Sequence, residues 1–459
     1  MFRKLALFQI FILVFIFFFM GTAFSQQFGK WVNVEEPSAG NFFGVGARYM
    51  GMGGAGVAFA NDAYALVYNP AGLAKVKRIE LTLGMSHQRF GNETGTPIGA
   101  KILFPNYLSE DKSQSNTRFS SAGLVFPIPT YRGSLVFGLG VNRVESFDKV
   151  FKYTYDNPMA DTIPDEKSHI SDSRLISESK GIYMWSLGGA IDISPNISIG
   201  LGLNFWDGKE DYGGERYQIY IAKEDTLKGW DTFEVRYDDE IYDDYSGFNA
   251  KFGIMIQPNK YLSFGGTLDS PVWLTIDEEY IFRTDSTSAS DPYKYFIEET
   301  GYPRYKLTHP YSFSFGGALN FKNLLLSGDF NYTDWTQLDY REGVDIGEKN
   351  RNVKDYYKEV FKWHIGAEYL IPQLSAQVRA GYYSDPLPFE SRVLRTDPQY
   401  FSVNTDRQYF SLGLGFLIDK VMTLDIAWSH GFYEFEYPNI PAIEKYRTNK
   451  IFITTAYRL

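Results

Sequence analysis

Histidine and glutamate side chains are the residues of this chain best suited to acid–base chemistry. The 459-residue sequence has five histidines: His87, His169, His309, His364 and His430. On a β-strand His364 and Glu368 would share one face, because side chains four residues apart point to the same side. Lipid-hydrolysing barrels use a Ser/His pair, but polar side chains on one face are also what any barrel interior contains. We therefore expect no catalytic residues.

A run of carboxylates is the other feature that could carry chemistry. Its members are Asp238, Asp239, Glu240, Asp243 and Asp244. Carboxylate oxygens are the ligands that Ca²⁺ prefers, although a solvated acidic loop tip has the same composition, and we favour that interpretation. The sequence has no cysteine, no HExxH motif and no phosphate-binding glycine loop. We expect no metal site and no cofactor.

Composition limits the classes of protein to which this chain can belong. It has 45 Lys and Arg against 55 Asp and Glu, a net charge of −10, which is the wrong sign for binding nucleic acid. Beyond residue 25 it has no apolar run of about twenty residues, the length that a transmembrane helix needs. Aromatic residues make up 17% of the chain and there are 42 glycines. This composition favours β structure.

The first 25 residues predict export. Arg3 and Lys4 precede an apolar run from Leu5 to Met20, and Ala23 and Ser25 are small residues before a cut at Gln26. This is the pattern of a secretory signal peptide. A retained membrane anchor is the alternative, but the run ends too close to small polar residues for an anchor. Residues 1–25 are therefore predicted to be removed, and the protein to work outside the inner membrane.

Strand-like alternation begins near residue 79. In residues 135–142, 197–204, 313–320 and 422–428 one face is apolar and the other is small or polar, as in a β-strand. Short turns are predicted at 127–133, 194–196, 257–260, 321–323, 371–374 and 418–420. Long polar connections are predicted near 88–116, 145–180, 208–245, 284–308, 334–360, 384–407 and 432–448.

Six short turns and seven long connections imply about fourteen strands, provided that residues 261–282 form one strand bent at Ser270 and Pro271. An even strand number with both ends on the short-turn side is typical of an outer-membrane barrel. The expected fold is all-β, an antiparallel transmembrane β-barrel of about fourteen strands. A soluble β protein is the alternative, since its strands also alternate.

The last strand is expected to close on the first. Ile451, Ile453, Tyr457 and Leu459 fall on one face of a strand that reaches the final residue. No strand edge can stay unpaired in lipid, so this strand should pair with residues 79–87. Some aromatic side chains should lie in the interfacial girdles of such a barrel: Tyr183, Trp185, Trp363, Tyr369, Tyr382 and Trp428.

Several motifs carry a resemblance to a known family. The segment 46–55 (GARYMGMGGA), with residues 61–63 (NDA) and 68–73 (YNPAGL) after it, resembles the FadL/TodX family of outer-membrane transport proteins. The resemblance continues at residues 328–335, 365–369, 378–386 and 405–407. It covers the N-terminal segment and the second half of the chain, while residues 88–300 show only the strand pattern.

This resemblance implies a barrel plugged by an N-terminal hatch, which takes up hydrophobic molecules such as long-chain fatty acids or aromatic hydrocarbons. Residues 26–75 would be the hatch and residues 76–459 the barrel, in the bacterial outer membrane and working as a monomer. Asn69, Pro70 and Ala71 would lie in the lumen beside the ligand. The ligand's tail would meet Phe42, Phe59, Tyr64 and Tyr68.

A carboxylate on the ligand would need a cation, and Arg48 and Arg379 are the candidates. Both arginines could instead be partners of lumen carboxylates such as Glu368 and Asp425. A lateral opening into the bilayer is expected in the third strand, by the same resemblance, near Gly138, Gly140 and Asn142. The expected partners are a hydrophobic small molecule and outer-membrane lipid.

A protein-binding function is the alternative to uptake. The PorV-like proteins of type IX secretion have a similar glycine-rich Asn-Pro-Ala segment and a similar barrel size. The long acidic, tyrosine-rich connections, such as residues 208–245, would then bind a protein in secretion or surface assembly.

Overall fold

The computed structural model describes residues 42–95, 110–131, 133–156, 166–225, 228–288, 295–343, 346–388, 402–437 and 442–459. The predicted signal peptide and residues 26–41 of the predicted hatch lie outside these ranges. No helix among the described residues is long and apolar enough to span a bilayer.

One antiparallel sheet closes into a barrel of fourteen strand positions. Two positions are each formed by two successive strands, β3 with β4 and β8 with β9, a third is formed by β10, β11 and β12, and β14 continues β13. The strands are β1 (Glu80–Gly95), β2 (Glu110–Ile128), β3 (Leu135–Glu145), β4 (Lys149–Asp156), β5 (Glu166–Ser194), β6 (Ile197–Asp225), β7 (Lys228–Asn259), β8 (Leu262–Asp269), β9 (Trp273–Ser288), β10 (Tyr295–Gly301), β11 (Arg304–Thr308), β12 (Ser312–Phe321), β13 (Leu324–Asp334), β14 (Asp339–Glu342), β15 (Glu359–Ile371), β16 (Ala376–Asp385), β17 (Ser402–Ile418), β18 (Met422–Tyr437) and β19 (Ala442–Arg458).

Closure occurs where the sequence predicts it. β19 pairs with β1 from Arg458 opposite Glu80 to Ile443 opposite Gly95. All six predicted short turns join consecutive strands on this end of the barrel, the periplasmic end in outer-membrane barrels. The predicted bend is present too, since β8 ends at Asp269 and β9 begins at Trp273.

The outward face is apolar around the whole barrel. Large side chains at alternate positions, among them Leu83, Phe264, Phe315 and Leu412, leave about half their surface uncovered. Trp185, Tyr369 and Trp428 also face outward, as predicted. In the lipid bilayer such a band is in contact with acyl chains, so these side chains are buried by the membrane rather than by the protein.

Four of the predicted long connections are wrong, because they are largely strand: 145–180, 208–245, 284–308 and 432–448. β6 has 29 residues and β7 has 32, whereas a tilted membrane span needs about nine to eleven. The two strands stay paired as far as Asp225 opposite Lys228. Their outer halves are polar, so hydrophobic alternation could not reveal them, and cross-strand pairs such as Lys209 with Asp244 replace it.

Part of the acidic run lies in this outer sheet with partners of its own. Glu240 accepts hydrogen bonds from the Tyr242 hydroxyl at 2.9 Å and from Arg283 at 2.6 Å. Both hydrogen bonds lower the pKa of Glu240, and the one from Tyr242 has the larger effect.

The outer region also contains a helix that the sequence did not predict. This helix, Ile346–Tyr356, lies within the connection predicted at 334–360.

The hatch fills the lumen with irregular backbone and short helical turns. These turns are Ala47–Met50, Ala65–Tyr68 and the 3₁₀ segment Pro70–Lys75. The wall admits this backbone through a belt of inward-facing glycines. A Cβ atom added to any of the following would contact hatch atoms: Gly123, Gly138, Gly140, Gly188, Gly200, Gly253, Gly265, Gly316, Gly366, Gly381 and Gly413.

We predict that Gly381→Ala displaces the hatch. Its added methyl group would overlap the backbone of Met52 and Gly53, and overpacking of this kind costs about 1–3 kcal/mol. The midpoint of thermal unfolding in detergent should fall, and protease should cut the hatch faster. The control is Gly317→Ala on the lipid face, where the nearest atom to the new Cβ is a Phe264 ring carbon at 3.9 Å. Equal midpoints for the two variants would contradict the packing role of the belt.

Candidate functional site

An aromatic core holds the hatch together. Tyr49 has no exposed surface, and its ring stacks on Tyr68 at 4.6 Å and on Phe59 at 5.5 Å. Tyr64 meets the same ring edge-on at 5.9 Å. Phe59, Tyr64 and Tyr68 therefore support one another around Tyr49 and give the hatch a core of its own.

Asn69 satisfies hatch backbone that has no regular partner. Its side-chain oxygen accepts from the Ala71 N–H at 3.1 Å, and its amide donates to the carbonyls of Val57 at 2.7 Å and Ile254 at 3.0 Å. Ile254 belongs to β7, so this single side chain ties two hatch segments to the wall. Pro70 and Ala71 lie against Gly200 of β6.

Other wall side chains bind the hatch main chain directly. Asp329 accepts from the N–H groups of Gly56 and Val57, His364 lies 2.8 Å from the Gly53 carbonyl, and the Lys251 ammonium donates to the Val67 carbonyl at 2.6 Å. Buried backbone polar groups need such partners. These bonds keep an irregular segment stable at membrane depth.

A buried ionic network lies on the periplasmic side of the hatch. Arg48 donates two hydrogen bonds to Glu368, at 2.9 and 3.0 Å. Arg379 donates to Glu368 and to Asp425, each at 2.7 Å. Both arginines thus pair with lumen carboxylates, which is the second of the two roles considered for them from the sequence. The network joins the hatch to β15, β16 and β18.

An outer cavity of about 270 Å³ lies on the opposite side of the hatch. The hatch forms its floor with Phe42, Val45, Val57, Val67 and Tyr68. Wall side chains that line it are Met184, Trp206, Asn249, Lys251, Asp269, Ser270, Ser312, Ser314, Asp329, Asn331, Thr333, Lys362 and His364. The lining is therefore mostly apolar where the hatch forms it and mostly polar where the wall forms it.

An apolar cluster, the outer cap, closes the barrel above this cavity. Val272 and Trp335 belong to both the cap and the cavity lining. The other members of the cap are Phe147, Ile182, Tyr245, Leu274, Ile276, Leu307, Leu338, Tyr340, Val353, Tyr356, Tyr357 and Val360. The cavity thus lies between the hatch and the outer cap.

The residues predicted as ligand contacts separate into three groups. Phe42 and Tyr68 line the outer cavity. Phe59, Tyr64, Arg48 and Arg379 line two cavities on the periplasmic side, of about 310 and 220 Å³. Asn69, Pro70 and Ala71 lie in the lumen, but they pack against the wall and line none of these three cavities.

At the predicted lateral opening, β3 is paired on both sides. Gly138 and Gly140 are opposite β2 and β5 residues, and hatch leucines lie over them. The ladder between β2 and β3 ends at Ser121 opposite Asn142. Beyond that pair the chain turns toward the hatch, where the Val144 carbonyl accepts from the Phe43 N–H at 3.3 Å.

The structure separates the residues considered for acid–base chemistry. His364 faces inward, as predicted, and contacts the Gly53 carbonyl, while Glu368 is bound by two arginines. In the described ranges no group of three or more His, Cys, Asp or Glu side chains is arranged to hold a metal ion.

Sequence reasoning missed most of the cavity lining. Ser314, Asn331, Thr333 and Trp335 all lie within or next to recognised motifs and strands, and alternation places the first three on the inward face. The pairing of β12 with β13 joins them in space: Asn331 donates to Ser312 and Ser314 at 2.9 and 3.0 Å. The sequence alone did not reveal this strand register, so it could not show that these residues lie together.

We predict that Glu368→Gln destabilises the protein strongly, because the buried guanidinium of Arg379 and the partly buried guanidinium of Arg48 lose the carboxylate that they share. Breaking a buried pair costs about 3–5 kcal/mol of unfolding free energy, measurable by denaturant titration in detergent. Glu342→Gln is the control: it breaks an exposed pair with Lys306 at 2.9 Å and should cost less than about 1 kcal/mol. Similar losses in both variants would refute a structural role for the network.

Comparison with solved structures gives the same fold. The toluene transporter TodX of Pseudomonas putida is 15% identical, with a TM-score of 0.59, covering 91% of this chain and 99% of that one. A FadL homologue of Pseudomonas aeruginosa is 14% identical, with a TM-score of 0.56, covering 92% and 100%. The toluene transporter TbuX of Ralstonia pickettii is 13% identical, with a TM-score of 0.52, covering 91% and 99%.

No curated protein matches the chain in sequence. A family model does match: that of the outer membrane protein transport proteins (OMPP1/FadL/TodX), over residues 35–436. The match spans most of the chain, including the hatch motifs and all but the end of the barrel. The chain belongs to the OMPP1/FadL/TodX family of outer-membrane transport proteins.

Proposed function

We propose that this protein is a passive outer-membrane channel through which small hydrophobic molecules enter the cell, and that each molecule binds in the outer cavity between hatch and wall. The cavity of about 270 Å³ between hatch and cap is the observation that carries the proposal. An engineered cavity of about 150 Å³ holds benzene, whereas pockets for drug-sized ligands begin at about 300 Å³. The volume suits a ligand of single-ring size.

The proposed path begins at the outer cap. A molecule would partition onto the apolar side chains of the cap, pass Trp335 and settle against Phe42 and Tyr68. Exit would follow movement of the hatch, either toward the periplasm or sideways into the bilayer. The end of the β2–β3 ladder at Asn142 supports a lateral exit at that residue, beyond the paired Gly138 and Gly140.

The channel function requires no reaction and no cofactor. The paired state of Glu368 and the contact of His364 with hatch backbone leave both engaged in holding the hatch. We propose accordingly that the protein is not an enzyme and that it acts as a monomer, since one barrel contains the whole path.

We expect Ser314→Leu to weaken binding of toluene to the purified protein by about tenfold or more. Ser314 is buried and lines the cavity, so a leucine there would occupy ligand volume. The readouts are calorimetric titration in detergent and uptake of labelled toluene by cells carrying the protein. The adjacent Phe315 faces lipid, and Phe315→Leu should change neither. A long-chain fatty acid titrated in parallel tests the larger ligand class. Unchanged toluene binding in Ser314→Leu would exclude the outer cavity as the site.

A protein-binding role in secretion or surface assembly is the second candidate function. It is favoured by the outer sheet of β6, β7 and β9, which continues far beyond the length of a membrane span. Recovery of one stoichiometric protein partner by cross-linking in native membranes would support it, and the absence of any such partner would count against it.

We also propose that the mature protein begins at Gln26 and resides in the bacterial outer membrane. The intact mass of the protein isolated from outer-membrane fractions tests this. A mass that includes residues 1–25 would show that the segment is retained as an anchor.

A further inference from the structure

A buried hydrogen-bond donor in the outer cavity has no partner. The Trp335 side chain is 7% exposed, and its indole N–H makes no hydrogen bond to any described residue. Buried tryptophan N–H groups usually have an acceptor, and leaving one without costs free energy. Trp206, the other tryptophan of the cavity, obeys the rule: its N–H donates to Asn249 at 2.9 Å.

The position of Trp335 is held firmly. It begins the 3₁₀ turn Trp335–Gln337, which Asp334 caps by accepting from the Thr336 N–H. Its ring meets the His309 ring edge-on at 5.3 Å. Since Trp335 and His309 both line the cavity, a ligand in the cavity lies beside the indole.

Electrostatics of the lining disfavour an anionic ligand. The lining has three carboxylates, Glu145, Asp269 and Asp329, against two ammonium groups, Lys251 and Lys362. Each ammonium group is in an ion pair: Lys251 with Asp269 at 3.2 Å, and Lys362 with Asp385 at 2.7 Å. A carboxylate entering the cavity would lose its hydration and find both lysines of the lining already paired with carboxylates, which is costly.

Taken together, the unpaired donor and the two paired lysines define a ligand chemistry. We infer that the outer cavity selects neutral hydrophobic molecules that carry an oxygen, such as phenols, aryl ethers or ketones of single-ring size, over carboxylates and pure hydrocarbons. The oxygen accepts the Trp335 N–H, and the apolar body lies against Val57, Val67 and Tyr68. This inference rests on the proposed function, because it assumes that the cavity is the ligand site.

Four ligands with one ring test it on the full-length protein in detergent, titrated by calorimetry against empty micelles: toluene, 4-methylphenol, 4-methylanisole and 4-methylbenzoate at neutral pH. We expect 4-methylphenol and 4-methylanisole to bind about three- to tenfold more tightly than toluene, the gain typical of one hydrogen bond. The 4-methylbenzoate anion should bind most weakly. The anisole oxygen can only accept, so its gain identifies the protein group as a donor.

Trp335→Phe keeps an aromatic ring but removes the N–H. It should abolish the preference for the two neutral oxygen compounds, so that they and toluene bind with similar affinity. Trp185→Phe, on the lipid face, is the matched control and should change nothing. A midpoint of thermal unfolding close to that of the wild-type protein shows that the variant is folded.

The outcomes separate this inference from the proposed function. If no ligand binds saturably to the wild-type protein, the outer cavity is not the site and both fail. If toluene binds as tightly as the oxygen compounds, if 4-methylbenzoate binds most tightly, or if Trp335→Phe leaves the oxygen preference intact, the cavity remains the site but the inferred selectivity is wrong.

Discussion

An irregular peptide segment at membrane depth must have its backbone polar groups satisfied by the protein, and the rest of this structure depends on that requirement. The hatch meets it with wall side chains: Asp329 accepts from two hatch N–H groups, Lys251 donates to a hatch carbonyl, and Asn69 bridges the hatch to β7. These short bonds require the hatch backbone to lie directly on the wall. Inward-facing glycines such as Gly366 and Gly381 provide the space. The inward-facing glycines and the polar side chains therefore act together: the glycines let the hatch backbone approach the wall, and the side chains form hydrogen bonds with it.

The same arrangement determines where a ligand can bind. Close contact between hatch and wall excludes a ligand from most of the lumen, and the Arg48–Glu368–Arg379 network occupies much of the periplasmic side with paired charge. Under the outer cap, small wall residues such as Ser312 and Ser314 leave space for a cavity. The proposed ligand site thus lies between an anchored hatch and an apolar cap, and the same wall side chains that bind hatch backbone, Lys251, Asp329 and His364, also line it.

The barrel also extends far outside the bilayer. Inside the membrane, outward alternation of large apolar side chains is imposed by lipid. Beyond it, β6 and β7 keep the same hydrogen-bond ladder while their side chains become charged and aromatic, with pairs such as Lys209–Asp244 and Arg283–Glu240 across the strands. One continuous sheet therefore lies partly in lipid and partly in water, and only its side chains differ between the two parts.

Local sequence determined much of this protein. Period-two alternation predicted the number of strands, the six periplasmic turns and the closure of β19 on β1, because lipid imposes one apolar face on every span. The Asn-Pro-Ala-Gly motif and the glycine-rich segment before it predicted a hatch. Tertiary structure alone decided the rest. The polar outer strands carry no lipid-facing pattern, so they were taken for loops. Strand register decided that Arg379 is paired with Asp425 rather than available to a ligand. Trp335 joined the cavity because β13 and the turn after it bring the indole beside His309, a contact between residues 26 positions apart that no local pattern records.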